Sequence, residues 1–230
     1  MATRPWTDRS RITRPRTDRA IQRRLLEGMT YELIPLNNLA DQSAHLPDGA
    51  TVSVTCSPAK TIDDTLDLCA GYAEKGFTVI PHFAARMVES EDHVGRIVER
   101  VNAIGIRKVF CIGGDADPRG PFTDAADFLR SFLDRRPEID VVGIGSYPDG
   151  HATIPDQTLV DALVEKQELI REAGLEGYMA TQMCFDAQTI ETWLVGQRAV
   201  GVDLPCHLGV PGAVDRTKLL TISIRLGIGH

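Results

Sequence analysis

The sequence has no apolar run of about 18 residues or more, so no segment has the length and hydropathy of a membrane-spanning helix. It has no C-x-x-C pair. Its five cysteines, Cys56, Cys69, Cys111, Cys184 and Cys206, are odd in number. That excludes a fully paired disulfide framework and predicts buried free thiols in a reducing, cytoplasmic compartment. Cys56 or Cys184 as a nucleophile is the competing reading. The six histidines include no H-x-x-x-H or similar cluster, so spacing offers no metal site. Positive charge is in deficit: the net charge is −7, which argues against nucleic acid as the main partner. No apolar central stretch near the start marks a secretory signal.

Residues 1–28 lack lysine and nearly lack apolar periodicity, but are rich in arginine. They contain a near-repeat, Thr3-Arg4-Pro5-Trp6-Thr7-Asp8-Arg9 and Thr13-Arg14-Pro15-Arg16-Thr17-Asp18-Arg19. This leader is expected to be a disordered basic extension, or to lie upstream of a true start at Met29. Contact with nucleic acid is its minor alternative. Residues 29–230 are expected to form one domain, which is more acidic than the whole chain because the leader is net basic.

From Thr30 onward short apolar runs alternate with amphipathic stretches. The expected strands are Tyr31–Leu36, Thr51–Cys56, Phe77–Phe83, Lys108–Gly113, Asp140–Tyr147, Gly177–Met183 and Pro205–Val210. Several are apolar nearly throughout, as strands covered on both faces are. Ser90 can cap a helix carrying Val94, Ile97, Val98, Val101 and Ile104 on one face, with Gly105 as its stop. Thr61 opens a helix that runs to Gly76, and Asp186 opens one that ends near Gly201. Another holds Val160, Leu163, Val164 and Ile170 before Gly174, and a last begins near Val214. Strict alternation implies a parallel sheet with right-handed crossovers. No G-x-G-x-x-G opens the first helix, which weakens a dinucleotide-binding open sheet. The unit spacing suits a (β/α)8 TIM barrel of roughly 250 residues. Only seven strands are countable, so the chain is expected to lack the last β/α unit and to be a sequence fragment.

In such barrels the chemistry lies at the carboxyl ends of the strands. Polar residues break the apolar pattern there: Glu32 in the first strand, Thr55, Pro81-His82, Gly113-Gly114-Asp115, Tyr147 to His151, and Thr181-Gln182. A carboxylate in an apolar run is costly to ionise, so its pKa should rise, as a general acid at neutral pH requires. A paired structural charge is the bland reading of Glu32. No defensible Ser–His–Asp order is present.

At these residues the chain resembles the methylenetetrahydrofolate reductase family, over about Tyr31 to Gly212. The resemblance is carried by Glu32 in "YELIPL", "VSVTC" at 52–56, "PHF" at 81–83, "GGDADP" at 113–118, "YPDGH" at 147–151, "TQMCFD" at 181–186 and "LGVPG" at 208–212. The resemblance implies a (β/α)8 barrel in one-carbon metabolism that reduces 5,10-methylenetetrahydrofolate to the 5-methyl form. FAD is the usual carrier, itself reduced by NADH or NADPH. Glu32 matches the catalytic acid, Asp115 the acid that contacts the pterin, and Gln182 the folate-binding amide. Thr55, His82, Gly114, Asp115, Tyr147 and His151 match positions that line the flavin and nicotinamide site. No metal is implied, and homo-oligomers are expected.

The chain also departs from the family pattern. Cys56 to Lys60 replace a Tyr and a glycine-rich stretch, Gly113 replaces an Arg, Asp124 a Tyr, and Ile170 or Arg171 a Lys. These losses fall mainly on flavin contacts. FAD is therefore expected with a flavin-free variant as its alternative, in which hydride passes directly from the nicotinamide. Two other classes compete with the reductase. A lyase or aldolase would need a strand-end lysine for a Schiff base; Lys108 begins a strand and Lys60 lies beyond one. An inactive pterin-binding fragment would show no turnover.

Overall fold

The computed structural model describes residues 18–57, 59–212 and 214–226. The chain divides into two units, residues 1–30 and 31–230. The first contains helix α1 (Arg19–Glu27), N-capped by the Asp18 carboxylate, which accepts the Ala20 N–H at 2.9 Å. This helix stands in the described part of the arginine-rich leader. Residues 1–17 lie outside the described residues.

The second unit follows the expected alternation. After β1 (Thr30–Leu33), whose first residue belongs to the first unit, come α2 (Leu39–Ser43), β2 (Thr51–Val54), α3 (Ile62–Glu74), β3 (Thr78–Ala84) and α4 (Glu91–Ile104). It continues with β4 (Lys108–Ile112), α5 (Ala125–Asp134), β5 (Val141–Ser146), α6 (Asp156–Glu172) and β6 (Glu176–Thr181). It ends with α7 (Ala187–Ala199), β7 (Cys206–His207) and α8 (Arg216–Leu226). Seven parallel strands pair in the order β1 to β7, as a TIM-like barrel without its eighth strand among the described residues. All seven expected strands are present. The seventh is only two residues long: Leu208 and Val210 were expected in it, yet they lie exposed beyond its end.

Local signals explain the helix boundaries. Thr61 and Asp64 cap α3 reciprocally, and Ser90 Oγ accepts the His93 N–H at 3.1 Å to open α4. Gly105 ends α4 with φ 79°, a conformation in which a side chain would be strained. Asp186 caps α7. The sequence reading singled out no capped helix between β4 and β5; α5 fills that place, and Asp124 Oδ1 caps it by accepting the Ala126 and Asp127 N–H groups.

Alternate strand residues face opposite ways. On the outer face, Phe83 of β3 meets Phe128 and Phe132 of α5 at 5.8 and 5.7 Å between ring centroids. Phe122 adds an edge-on contact to Phe128 at 6.0 Å. These rings are buried with Val52, Val54, Ile62, Leu66, Val109, Val142 and Ile144 in one core between sheet and helices. The residues one step along, such as His82 and Phe110, therefore face the lumen.

Candidate active site

The lumen-facing side chains form a row that the sequence reading missed. His82 (β3) lies 4.5 Å from Phe110 (β4), Phe110 lies 6.0 Å from Tyr178 (β6), and Tyr178 stacks on His207 (β7) at 4.5 Å and 25°. Between them on β5 stands Gly143, where a Cβ would collide with Phe110 Cδ2 and Tyr178 Cζ. The glycine lets two rings from non-adjacent strands meet across β5. The next lumen-facing layer toward the carboxyl ends is mixed: Ala84, Gly145 and Ala180 are small, while Ile112 pairs with Ala84 and His207 pairs with Ala180. The lumen thus has an aromatic floor beneath a shelf in which three positions are small and Ile112 and His207 are not. The sequence signal was the alternation of large residues in 108–112 and 176–181. It did not say which face was the lumen, because both faces are apolar.

Glu32 lies on β1 between Tyr31 and Leu33, both of which pack into the core. Its own side chain therefore points to the lumen. Desolvation by the surrounding strands raises its pKa, although the residue as a whole is exposed. His82 is buried, and that burial depresses its pKa to about 4, so its imidazole is neutral at pH 7. Thr55 donates its N–H and its hydroxyl to the Leu33 carbonyl, at 3.0 and 3.3 Å. Its polar groups are thus spent on the β1–β2 junction.

Over β4 and β5 several expected residues converge. Tyr147 and His151 meet edge to face at 5.2 Å. Burial, and after it the nearby Asp115 carboxylate, raises the Tyr147 phenol pKa, so acid and phenol share one side of the rim. Gly114 has φ 89°, and a Cβ there would lie 3.0 Å from the Ala84 methyl. Gln182 donates its N–H to the Ser146 carbonyl at 2.7 Å, which carries the end of β6 onto β5; its Oε1 accepts the Met183 N–H at 2.9 Å. Gly209 backs this segment, donating to Thr181 Oγ1 at 3.0 Å.

The cysteines are free. Cys56 donates its thiol to the His82 carbonyl at 2.9 Å, and burial pushes its pKa up to about 11. Burial pushes Cys69 and Cys111 up to about 12. This protonated Cys56 is a poor nucleophile. Iodoacetamide at pH 8 should therefore label the half-buried Cys184 and Cys206 well before these three, as read by mass spectrometry of digests. First labelling at Cys56 would contradict the assignment. Lys166 of α6 is buried with a lowered pKa, caused first by desolvation. The charges it feels come from Cys111, Asp124 and Glu165, on the helix side of the sheet, so it is not a lumen Schiff-base lysine.

Among the described residues no group of three or more His, Cys, Asp or Glu side chains could hold a metal, and no helix is long and apolar enough to cross a membrane. An open depression of about 350 Å³ at Pro148, Gln188, Thr189, Thr192 and Trp193 holds none of the residues above.

The family model for methylenetetrahydrofolate reductase matches residues 35–214. The chain belongs to the methylenetetrahydrofolate reductase family. Every candidate residue falls inside the match except Glu32, which precedes it. A "Probable methylenetetrahydrofolate reductase (NADPH)" from Caenorhabditis elegans is 24% identical over 176 residues, 74% of this chain and 25% of the relative. "Methylenetetrahydrofolate reductase 1" of Schizosaccharomyces pombe is 23% identical over 128 residues, 53% of this chain and 21% of the relative. The chain thus spans a quarter or less of these curated relatives' length. In fold it is similar to a protein from Burkholderia cenocepacia J2315 assigned as a phosphonomutase. That likeness has TM-score 0.51 and 14% identity, over 88% of each chain.

Tyr147, His151 and Asp115 are the polar groups that this side of the rim could offer to a flavin.

Proposed function

We propose that the chain reduces 5,10-methylenetetrahydrofolate to 5-methyltetrahydrofolate at the expense of NADH or NADPH. The observation that carries this reading is Glu32: a carboxyl with a raised pKa, facing the lumen of a barrel in this family. Protonated Glu32 gives its proton to N10 of the methylene bridge. The N10–carbon bond opens and leaves an iminium cation at N5. Asp115, at the rim, stabilises that cation electrostatically. Gln182 orients the pterin with its amide. The neutral His82 and the rings beside it support the flat ring without adding a competing positive charge. FAD, held by Gly114, Asp115, Tyr147 and His151, would supply relay of hydride from the nicotinamide nucleotide. The chain is placed in the cytoplasm on this reading.

The purified chain would be mixed with methylenetetrahydrofolate and NADH or NADPH, each with and without FAD. Nucleotide oxidation that depends on the folate is expected. Its absence in all four mixtures would sink the assignment, and turnover without FAD would assign the direct route.

A further inference from the structure

Asp115 stands on the connection from β4 to α5, residues 113–124, which contains no helix or strand. A 12-residue connection of this kind needs its order from outside. One residue supplies much of it. Arg86, in the 3-10 turn Ala85–Met87 that follows β3, meets the connection at three points. Its N–H donates to the Gly113 carbonyl at 3.0 Å, and its carbonyl accepts the Arg119 N–H at 2.8 Å. Its side-chain Nε donates to the Thr123 carbonyl at 2.8 Å. The start, middle and end of the segment are thus tied to a single position.

The neighbouring packing agrees. Gly120 lies so close to the backbone that a Cβ there would collide with the Val88 and Glu89 carbonyl oxygens. Arg119 extends to the Lys60 carbonyl at 3.4 Å, reaching the connection after β2. Arg86 is half-buried and pairs with no carboxylate among the described residues. Its charge strengthens a bond to a main-chain carbonyl instead.

We infer that Arg86 is a positioning residue, which acts through Asp115 by holding residues 113–123 over the end of β3. The inference rests on the reading above, in which Asp115 serves the pterin. Charge stabilisation by a carboxylate depends on placement, and an error of about 1 Å costs on the order of a hundredfold. Arg86→Ala keeps both main-chain bonds and removes only the Nε anchor at Thr123, so a loss of about tenfold is expected.

The test is a double-mutant cycle of Arg86→Ala and Asp115→Asn. It is read on kcat/KM and on the Kd for 5-methyltetrahydrofolate, with amide hydrogen exchange as an activity-independent readout. Expected are faster exchange confined to residues 113–123, about a tenfold loss from Arg86→Ala alone, and little further loss in the Asp115→Asn background. Ethylguanidinium should restore part of the Arg86→Ala loss. Unchanged exchange in 113–123, or equal losses in both backgrounds, would overturn the inference. A chain that binds folate without turnover would sink the reductase reading and leave the cycle to be decided on Kd. A chain that binds no folate would sink both.

Discussion

Replacing Glu32 by Gln should lower turnover with methylenetetrahydrofolate by roughly 10²- to 10⁴-fold, the range for loss of a general acid. The isosteric amide retains the side-chain volume but has no proton to give at neutral pH. Burial raises the Glu32 pKa, so the protonated form survives to higher pH than in a free carboxyl. The rate should therefore fall as pH rises through that raised pKa, and this limb should vanish in the variant. The stability sign follows from the same shift. A carboxyl whose folded pKa lies above its unfolded pKa favours the fold at low pH and loses that contribution as pH rises through the folded value. Gln cannot ionise, so at pH 7–8 the variant should melt no lower than the parent. Unchanged turnover would remove Glu32 from the mechanism; lost turnover with a collapsed Tm would mean a structural role. Folate binding should survive, since Gln182 and the shelf are untouched.

What the sequence made legible follows from how strongly each feature is written in one dimension. Apolar runs such as Val141 to Ser146 are buried on both faces, and their composition alone marks them as interior parallel strands. Helix starts at Thr61, Ser90 and Asp186 were legible because a cap needs one side chain at one position. Asp124 illustrates the limit. Read against a family pattern it is a lost tyrosine, while in the fold it is the N-cap of α5. The strand-end residues Asp115 and Tyr147 were visible as breaks in apolar runs, and the fold brings them to one side of the rim. The row His82–Phe110–Tyr178–His207 was not visible. Contact between rings on β4 and β6 depends on register and on Gly143 lying between them. Arg86 carried no signal either: it stands in a three-residue turn with no periodicity, and two of its three bonds are main-chain bonds.

Phe128→Ala should destabilise the chain by about 3–5 kcal/mol, the range for a buried phenylalanine truncated to alanine. Phe128 is fully buried and touches Phe83, Phe122 and Phe132 with centroids 5.8, 6.0 and 5.5 Å away. All three neighbours would line the cavity, and none belongs to a flexible terminus that can collapse into it. At roughly 2–4 °C per kcal/mol for a domain of this size, Tm should fall by about 6–20 °C. Thermal melting of the full chain measures this, with Val195→Ala as the control. Val195 is 69% exposed, and its truncation should cost less than about 0.5 kcal/mol. A Phe128→Ala loss no larger than the control would refute the packing account of α5. Because Phe83 follows His82 on β3 and Phe122 anchors the end of the connection that bears Asp115, the same cavity lies behind two parts of the candidate site. Residues 113–124 should therefore exchange amide hydrogens faster in Phe128→Ala even where the chain is still folded, linking the core outside the sheet to the rim inside it.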